Sequence, residues 1–128
     1  MRLSDKEAVK ALSLPDFLYQ RTKEDLLNAA DRLGMPLSEK SKKGVLVKQL
    51  AALYTYYPHK LLPALETGER RYLAAMFEND CEGAPDASAQ SLEQMGLVFT
   101  VGEADEPRRV VCPRLLCQIY QNKLKNEV

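Results

Sequence analysis

Apolar residues recur along this chain mainly at spacings of three and four, the period of an amphipathic helix. The clearest case starts after Thr22, where Leu26, Leu27, Ala30 and Leu33 share one face. Thr22 followed by Asp25 is a helix-start pair, and Gly34 is a natural stop because glycine accepts the left-handed conformation that ends many helices. Met35-Pro36-Leu37 then reads as extended, since Pro36 prevents helical continuation. Ser41 is placed to cap a second helix in which Val45, Leu46, Leu50, Leu53 and Tyr57 form the expected buried stripe, closed by Pro58.

The same pattern extends to both sides. Ser4 and Glu7 form a capping-box signature for a short helix from Asp5 to about Leu12. Pro15 ends that helix or starts the next turn, and Phe17, Leu18 and Tyr19 form an apolar cluster expected to pack on the two-helix unit. Downstream, Lys60–Leu65 reads as a short helix interrupted or begun at Pro63. Thr67 is read as the cap of a helix from Gly68 to about Glu78 that buries Leu73, Met76 and Phe77, with Tyr72 at its edge. Residues 78–87 are loop-like in composition, and a helix from Asp86 to Met95 follows, burying Ala89, Leu92 and Met95 before Gly96.

After that the period changes. Residues 97–101 and 109–112 are strand-like, joined by a turn over 102–107. Pro113 opens a final helix with Leu116, Ile119, Tyr120 and Leu124 at helical spacing.

Composition adds bounds. A length of 128 residues suits one compact domain or two small lobes. No apolar run reaches the roughly 18 residues that span a bilayer, and the first segment mixes both charge signs without an apolar centre. A cytoplasmic protein with no membrane partner is expected. Three cysteines (Cys81, Cys112, Cys117) imply no disulfide framework. One loose cysteine pair, a distant third and the single His59 are a poor zinc set, so no cofactor is expected and the cysteines are read as small buried residues. His59 lacks the companions a nucleophilic triad needs, so no enzyme is expected.

Formal net charge is zero, but its distribution is uneven. Residues 22–50 hold six bases (Lys23, Arg32, Lys40, Lys42, Lys43, Lys48) against four acids, whereas residues 78–106 hold eight acids and no base. From Pro107 onward there are five bases and one acid. An anionic partner must therefore avoid the middle of the chain.

Residues 22–53 resemble the helix–extension–helix group that includes SAP-like domains, LEM-like domains and the N-terminal module of transcription terminator Rho. The resemblance rests on Leu26-Leu27, Ala30, Leu33-Gly34, Met35, and Lys43 ahead of Val45-Leu46 and Leu50. The Gly34-to-Lys43 spacing is nearer the Rho-like variant, and the glycine usual before the second helix is replaced by Glu39 and Ser41. Helices followed by a hairpin, over residues 60–112, resemble a winged-helix domain. The implied architecture is mostly α (α+β): an N-terminal helix with a helix–extension–helix unit over 1–58, packed with a winged-helix-like lobe over 59–128 that contains one β-hairpin.

In the helix–extension–helix group, the start of the second helix approaches a nucleic-acid backbone. Carried over here, the contact set is Ser38, Lys40, Ser41, Lys42, Lys43 and Lys48. Free amides, the helix dipole and lysines all favour an anion there. In the winged-helix position of a recognition helix, residues 86–95 carry two acids and no base, which argues against duplex reading. Two functions stay open. One is a non-catalytic regulatory or accessory module that contacts DNA or RNA weakly. The other is a protein-interaction module, as a monomer or a homodimer, using the acidic lobe or the cluster of Tyr54, Tyr56, Tyr57 and His59, within which Tyr54 and Tyr57 share a helical face suited to core or seam packing.

Overall fold

A computed structural model describes residues 6–102 and 107–127. Their order is α1 (Lys6–Lys10), α2 (Leu14–Leu18), α3 (Lys23–Arg32), α4 (Lys43–Tyr56), α5 (Pro58–Ala64), α6 (Thr67–Glu78), β1 (Glu82–Gly83), α7 (Ala87–Gln94), β2 (Phe99–Val101), β3 (Arg109–Val111) and α8 (Arg114–Glu127). The protein is mostly helical α+β, with one small antiparallel sheet in the order β1-β3-β2.

The local signals explain most helix ends. Thr22 Oγ1 accepts from the Asp25 amide at 3.1 Å, and Ser13 Oγ caps α2 through the Asp16 amide at 3.2 Å, with Pro15 in the first turn. Gly34 takes φ +73°, and the Met35 amide reaches back to the Ala30 carbonyl at 2.8 Å, closing α3 as its glycine suggests. The Ser4–Glu7 signature and the centre of the 102–107 turn lie outside the described residues.

Several expectations are corrected. Lys42, not Ser41, stands at the N-cap of α4, and no side chain caps that helix. Ser41 is used in a turn instead, its amide donating to the Ser38 carbonyl at 3.0 Å. The buried stripe of α4 is Leu46, Val47, Leu50, Ala51, Leu53 and Tyr54. At about 100° per residue Val45 falls nearly opposite the centre of that stripe, and it is exposed. Tyr57 has left the helix (φ −128°, ψ 55°), so the period no longer applies to it, and it too is exposed. Tyr19, expected to pack inward, is 52 % exposed while Phe17 and Leu18 are buried. Glu66 rather than Thr67 caps α6, in a reciprocal box where Glu69 Oε1 accepts from the Glu66 amide at 2.8 Å. Pro58 both closes α4 and opens α5.

Strand β1 falls in the stretch read as loop. Its pairing is non-local, with Glu82 opposite Val111 and Gly83 opposite Val110, and local composition carries no sign of it. Along β3 the two-residue period sorts side chains to the two sheet faces. Val110 joins the main core, whereas Val111 joins a smaller cluster with Val9, Phe17 and Val101.

That main core runs without a break from Leu14 to Leu124 and takes side chains from both 1–58 and 59–128. Helix α4 is its hub, packing against α2, α3, α5 and α8. Among the described residues no helix is long and apolar enough to cross a membrane.

Gly96, just after α7, adopts φ +75°, and a Cβ there would run into the Leu18 side chain. Left-handed strain and overpacking add, so Gly96→Ala is expected to lose about 3 kcal/mol in urea unfolding. A loss below about 1 kcal/mol would mean that α2 yields easily, against its buried Leu18.

Candidate nucleic-acid interface

The first turn of α4 lies beside the end of α2, and between them runs an open groove of about 580 Å³. Its walls are Pro15, Tyr19, Lys42, Lys43, Gly44, Val45, Val47 and Lys48. Three lysines line it and no acid does. The ammonium of Lys43 sits 4.7 Å from the centroid of the Tyr19 ring, a cation–π contact that fixes both side chains at the rim. No side chain bonds across the start of α4, where Lys42 is the N-cap, and the Val45 amide donates back to the Lys42 carbonyl at 3.0 Å, so of its first three amides those of Lys43 and Gly44 are left for solvent or a ligand.

Of the six residues picked from sequence, the structure brings Lys42, Lys43 and Lys48 to this groove. Ser38, Lys40 and Ser41 do not line it. Ser38 and Ser41 shape the preceding turn, with Ser38 Oγ accepting from the Lys40 amide at 3.1 Å. Two other bases of the 22–50 stretch are spent internally. Lys23 donates to the Glu39 carbonyl at 2.6 Å, and Arg32 binds Glu69. Sequence reasoning missed Pro15, Tyr19 and Val45. The available signal was Tyr19 itself, one residue past a five-residue helix whose inward positions Phe17 and Leu18 already fill.

Helix α7, compared in the sequence reading with a recognition helix, offers no anion site at its start. Asp86 caps α7 by accepting from the Ser88 amide at 2.5 Å, so a carboxylate already occupies that helix start. Glu93 accepts from the Thr100 amide at 2.5 Å, tying α7 to β2. Both acids of 86–95 are structural.

Among the described residues one group of metal-type ligands lies close together: Glu7, Asp80 and Glu82, within 4.8 Å of one another. An ammonium already sits among them, with Lys10 Nζ 3.3 Å from Glu7, 3.3 Å from Asp80 and 2.7 Å from Glu82. Lys10 is buried, and although burial pulls its pKa down, the three carboxylates outweigh this and hold it raised. Lys10 is the strongest influence on Glu82, whose carboxyl is held down at about 2. The group is an ion-pair cluster joining α1 to the sheet.

A second groove of about 420 Å³ runs along the extension, lined by Leu33, Gly34, Met35, Pro36, Leu53 and Tyr57 among others. Tyr56 is 74 % exposed nearby, and His59 stands edge-on to Tyr57 with centroids 5.9 Å apart. Tyr54 is fully buried, as core packing of the face it shares with Tyr57 requires, whereas Tyr57 itself is exposed.

No known protein family, curated protein or solved structure matches the chain. What defines it is its own geometry: a mostly helical α+β protein with a lysine-and-tyrosine groove at the start of its central helix.

Proposed function

We propose that the protein is a non-catalytic, nucleic-acid-associated accessory module that holds a phosphate backbone weakly at the start of α4. The observation that carries this reading is the groove in which Lys42, Lys43 and Lys48 meet exposed Tyr19 and Val45 with no acid in the lining. Cations beside an exposed aromatic ring suit a sequence-tolerant contact, the lysines meeting phosphates and the ring offering a stacking surface to a base. The resemblance to helix–extension–helix modules points to the same helix start. A cytoplasmic setting agrees with three free thiols.

The test is a titration of labelled single-stranded and duplex DNA and RNA at low salt. Binding is expected to weaken steeply with salt, with a log–log slope of about −2 on single strands and about −2.7 on duplex DNA if three lysines meet phosphates. Charge reversal at Lys42→Glu with Lys43→Glu is expected to reduce affinity at least tenfold, and Tyr19→Ala to weaken single-stranded binding more than duplex binding. Absence of binding, or binding indifferent to the lysine pair, removes the proposal.

The second reading, a protein-interaction module that binds no nucleic acid, draws on exposed Tyr56 and Tyr57 beside the extension groove. Aromatic side chains of this kind anchor protein interfaces. A dimeric mass in solution that reverts to monomer in Tyr56→Ala would favour it.

A further inference from the structure

Three thiols converge at one end of the sheet. Cys81 lies between α6 and β1, Cys112 directly follows β3, and Cys117 is in the first turn of α8. All three are free, Cys81 and Cys112 buried and Cys117 half-buried. The β1–β3 register, Glu82 opposite Val111 and Gly83 opposite Val110, puts Cys81 opposite Cys112 one step further on. The backbone confirms the approach, because the Cys112 amide donates to the Cys81 carbonyl at 3.1 Å. The Cys81 amide itself turns back to the Met76 carbonyl at 2.9 Å, so a single backbone bond joins the pair, and the two thiols lie close enough to hydrogen-bond each other, the side-chain approach that a disulfide requires.

Both sulfurs are buried, so only a small oxidant can reach them, and two features set the pair apart from inert packing. Asp80 and Cys81 are the non-glycine residues at positive φ among those described, at +55° and +62°, and such backbone strain tends to gather at functional positions. Hydrogen bonding from Cys112, aided by Cys117 and by the charges of Arg114 and Lys10, draws the Cys81 thiol below its ordinary range in spite of burial. The bond to Cys81, together with burial, pushes Cys112 the other way. One sulfur of the pair is thus prepared as thiolate, the other as proton carrier.

We propose that Cys81 and Cys112 form a reversible intramolecular disulfide when the protein meets a peroxide-class oxidant. The Cys81 thiolate attacks one peroxide oxygen, forming an S–O bond as the O–O bond breaks and hydroxide leaves. That hydroxide takes the Cys112 proton, giving water. The Cys112 sulfur then attacks Cys81, forming S–S and expelling the sulfenic oxygen, which leaves as a second water after protonation from solvent. Two thiols are oxidised by two electrons in all, and one peroxide is reduced to two waters. Cys117, toward the solvent side, is the bystander. The new bond ties the end of α6 to the end of β3 and encloses α7 and β2 in a covalent loop. Oxidation would thereby stiffen this half of the protein without touching the α4 groove.

The experiment treats the full reduced chain with hydrogen peroxide, denatures it, alkylates free thiols and maps peptides without reduction. Alkylatable thiols are expected to fall from three to one. Intact mass should drop by two hydrogens, a cross-linked peptide pair should carry Cys81 and Cys112, and a dithiol reductant should restore all three. Cys117→Ser is expected to keep the cross-link, and Cys112→Ala to abolish it, leaving Cys81 to accumulate oxygen. Should Cys112→Ala fold poorly, peptide mapping of the unaltered chain decides alone. Three thiols still alkylatable after peroxide, a cross-link through Cys117, or oxygen addition in place of a cross-link in the unaltered chain would each overturn the proposal.

Discussion

Tyr54→Ala is expected to cost about 4 kcal/mol, more than most other single truncations in this core. Tyr54 is the largest fully buried side chain of the central helix α4, with no exposed surface. Its hydroxyl donates to the Met95 carbonyl at 2.7 Å, while its own carbonyl accepts from the Tyr120 hydroxyl at 2.5 Å. Burial pushes both phenols above their ordinary range, so both remain donors at any working pH. This relay joins α8 to α4 and α4 to the end of α7, one of several ties between residues 1–58 and 59–128 beside the shared core. Truncation leaves a large cavity and strands the Met95 carbonyl. Tyr54→Phe keeps the volume and loses only the hydroxyl, for about 1–3 kcal/mol. Urea unfolding followed by circular dichroism checks both, and both variants should still unfold in a single transition because the core is continuous. Equal losses for the two variants would show that the hydrogen bond, rather than the packing, dominates.

Arg32→Ala is expected to cost about 3 kcal/mol, the lower part of the range for breaking a buried ion pair, because Arg32 itself keeps 29 % side-chain exposure. Its guanidinium binds both carboxylate oxygens of Glu69, which is 3 % exposed, and its Nε donates to the Ala64 carbonyl at 3.1 Å. Glu69 also accepts from the Ser91 hydroxyl at 2.7 Å and from the Glu66 amide at 2.8 Å. Burial pushes the Glu69 carboxyl up, but Arg32, the Glu66 amide and Ser91 together outweigh it and hold the pKa below its ordinary value. A depressed carboxylate pKa contributes stability above the unfolded value, near 4.3, that is lost as pH falls through the folded value. Without Arg32 burial gains weight, and protonation of Glu69 relieves an unpaired charge. The gap between the two proteins is therefore expected to be full at pH 7, to begin closing above the unfolded value of about 4.3 as the variant's Glu69 takes its proton, and to go on closing as pH falls through the depressed value of the unaltered protein. A gap that stays constant down to pH 3 would show that Arg32 acts by packing alone.

Arg32 also shows why charge counting overstated the basic surface. Along the sequence it is one of six bases in 22–50, indistinguishable from Lys42 or Lys43. Folding brings α6 against the end of α3, and Arg32 becomes a structural tie. The candidate groove was half legible for the same reason. Lys42 and Lys43 could be placed at a helix start from Gly34, Pro36 and the apolar stripe. Tyr19 and Pro15 could not, since they reach the groove only because α2 packs across α4. In α6 the sequence favours Thr67 over Glu66 as the cap, because an acidic cap depends on the reciprocal bond made by Glu69.

What the sequence by itself determined is the set of elements whose causes are local. Thr22, Gly34, Pro36, Pro58 and Gly96 mark where helices start and stop, because capping bonds and backbone freedom act within a few residues. The 3.6-residue period gave α3, α6, α7 and α8 their inner faces, and runs enriched in β-branched and aromatic residues gave β2 and β3. Tertiary structure alone decided the rest: the third strand β1, the placing of Tyr19 beside the start of α4, and the meeting of Cys81 with Cys112. Each of these depends on a partner more than ten residues away. Contacts over that distance leave no periodic trace in the chain, because their free energy is gained only when two separately formed surfaces are brought together.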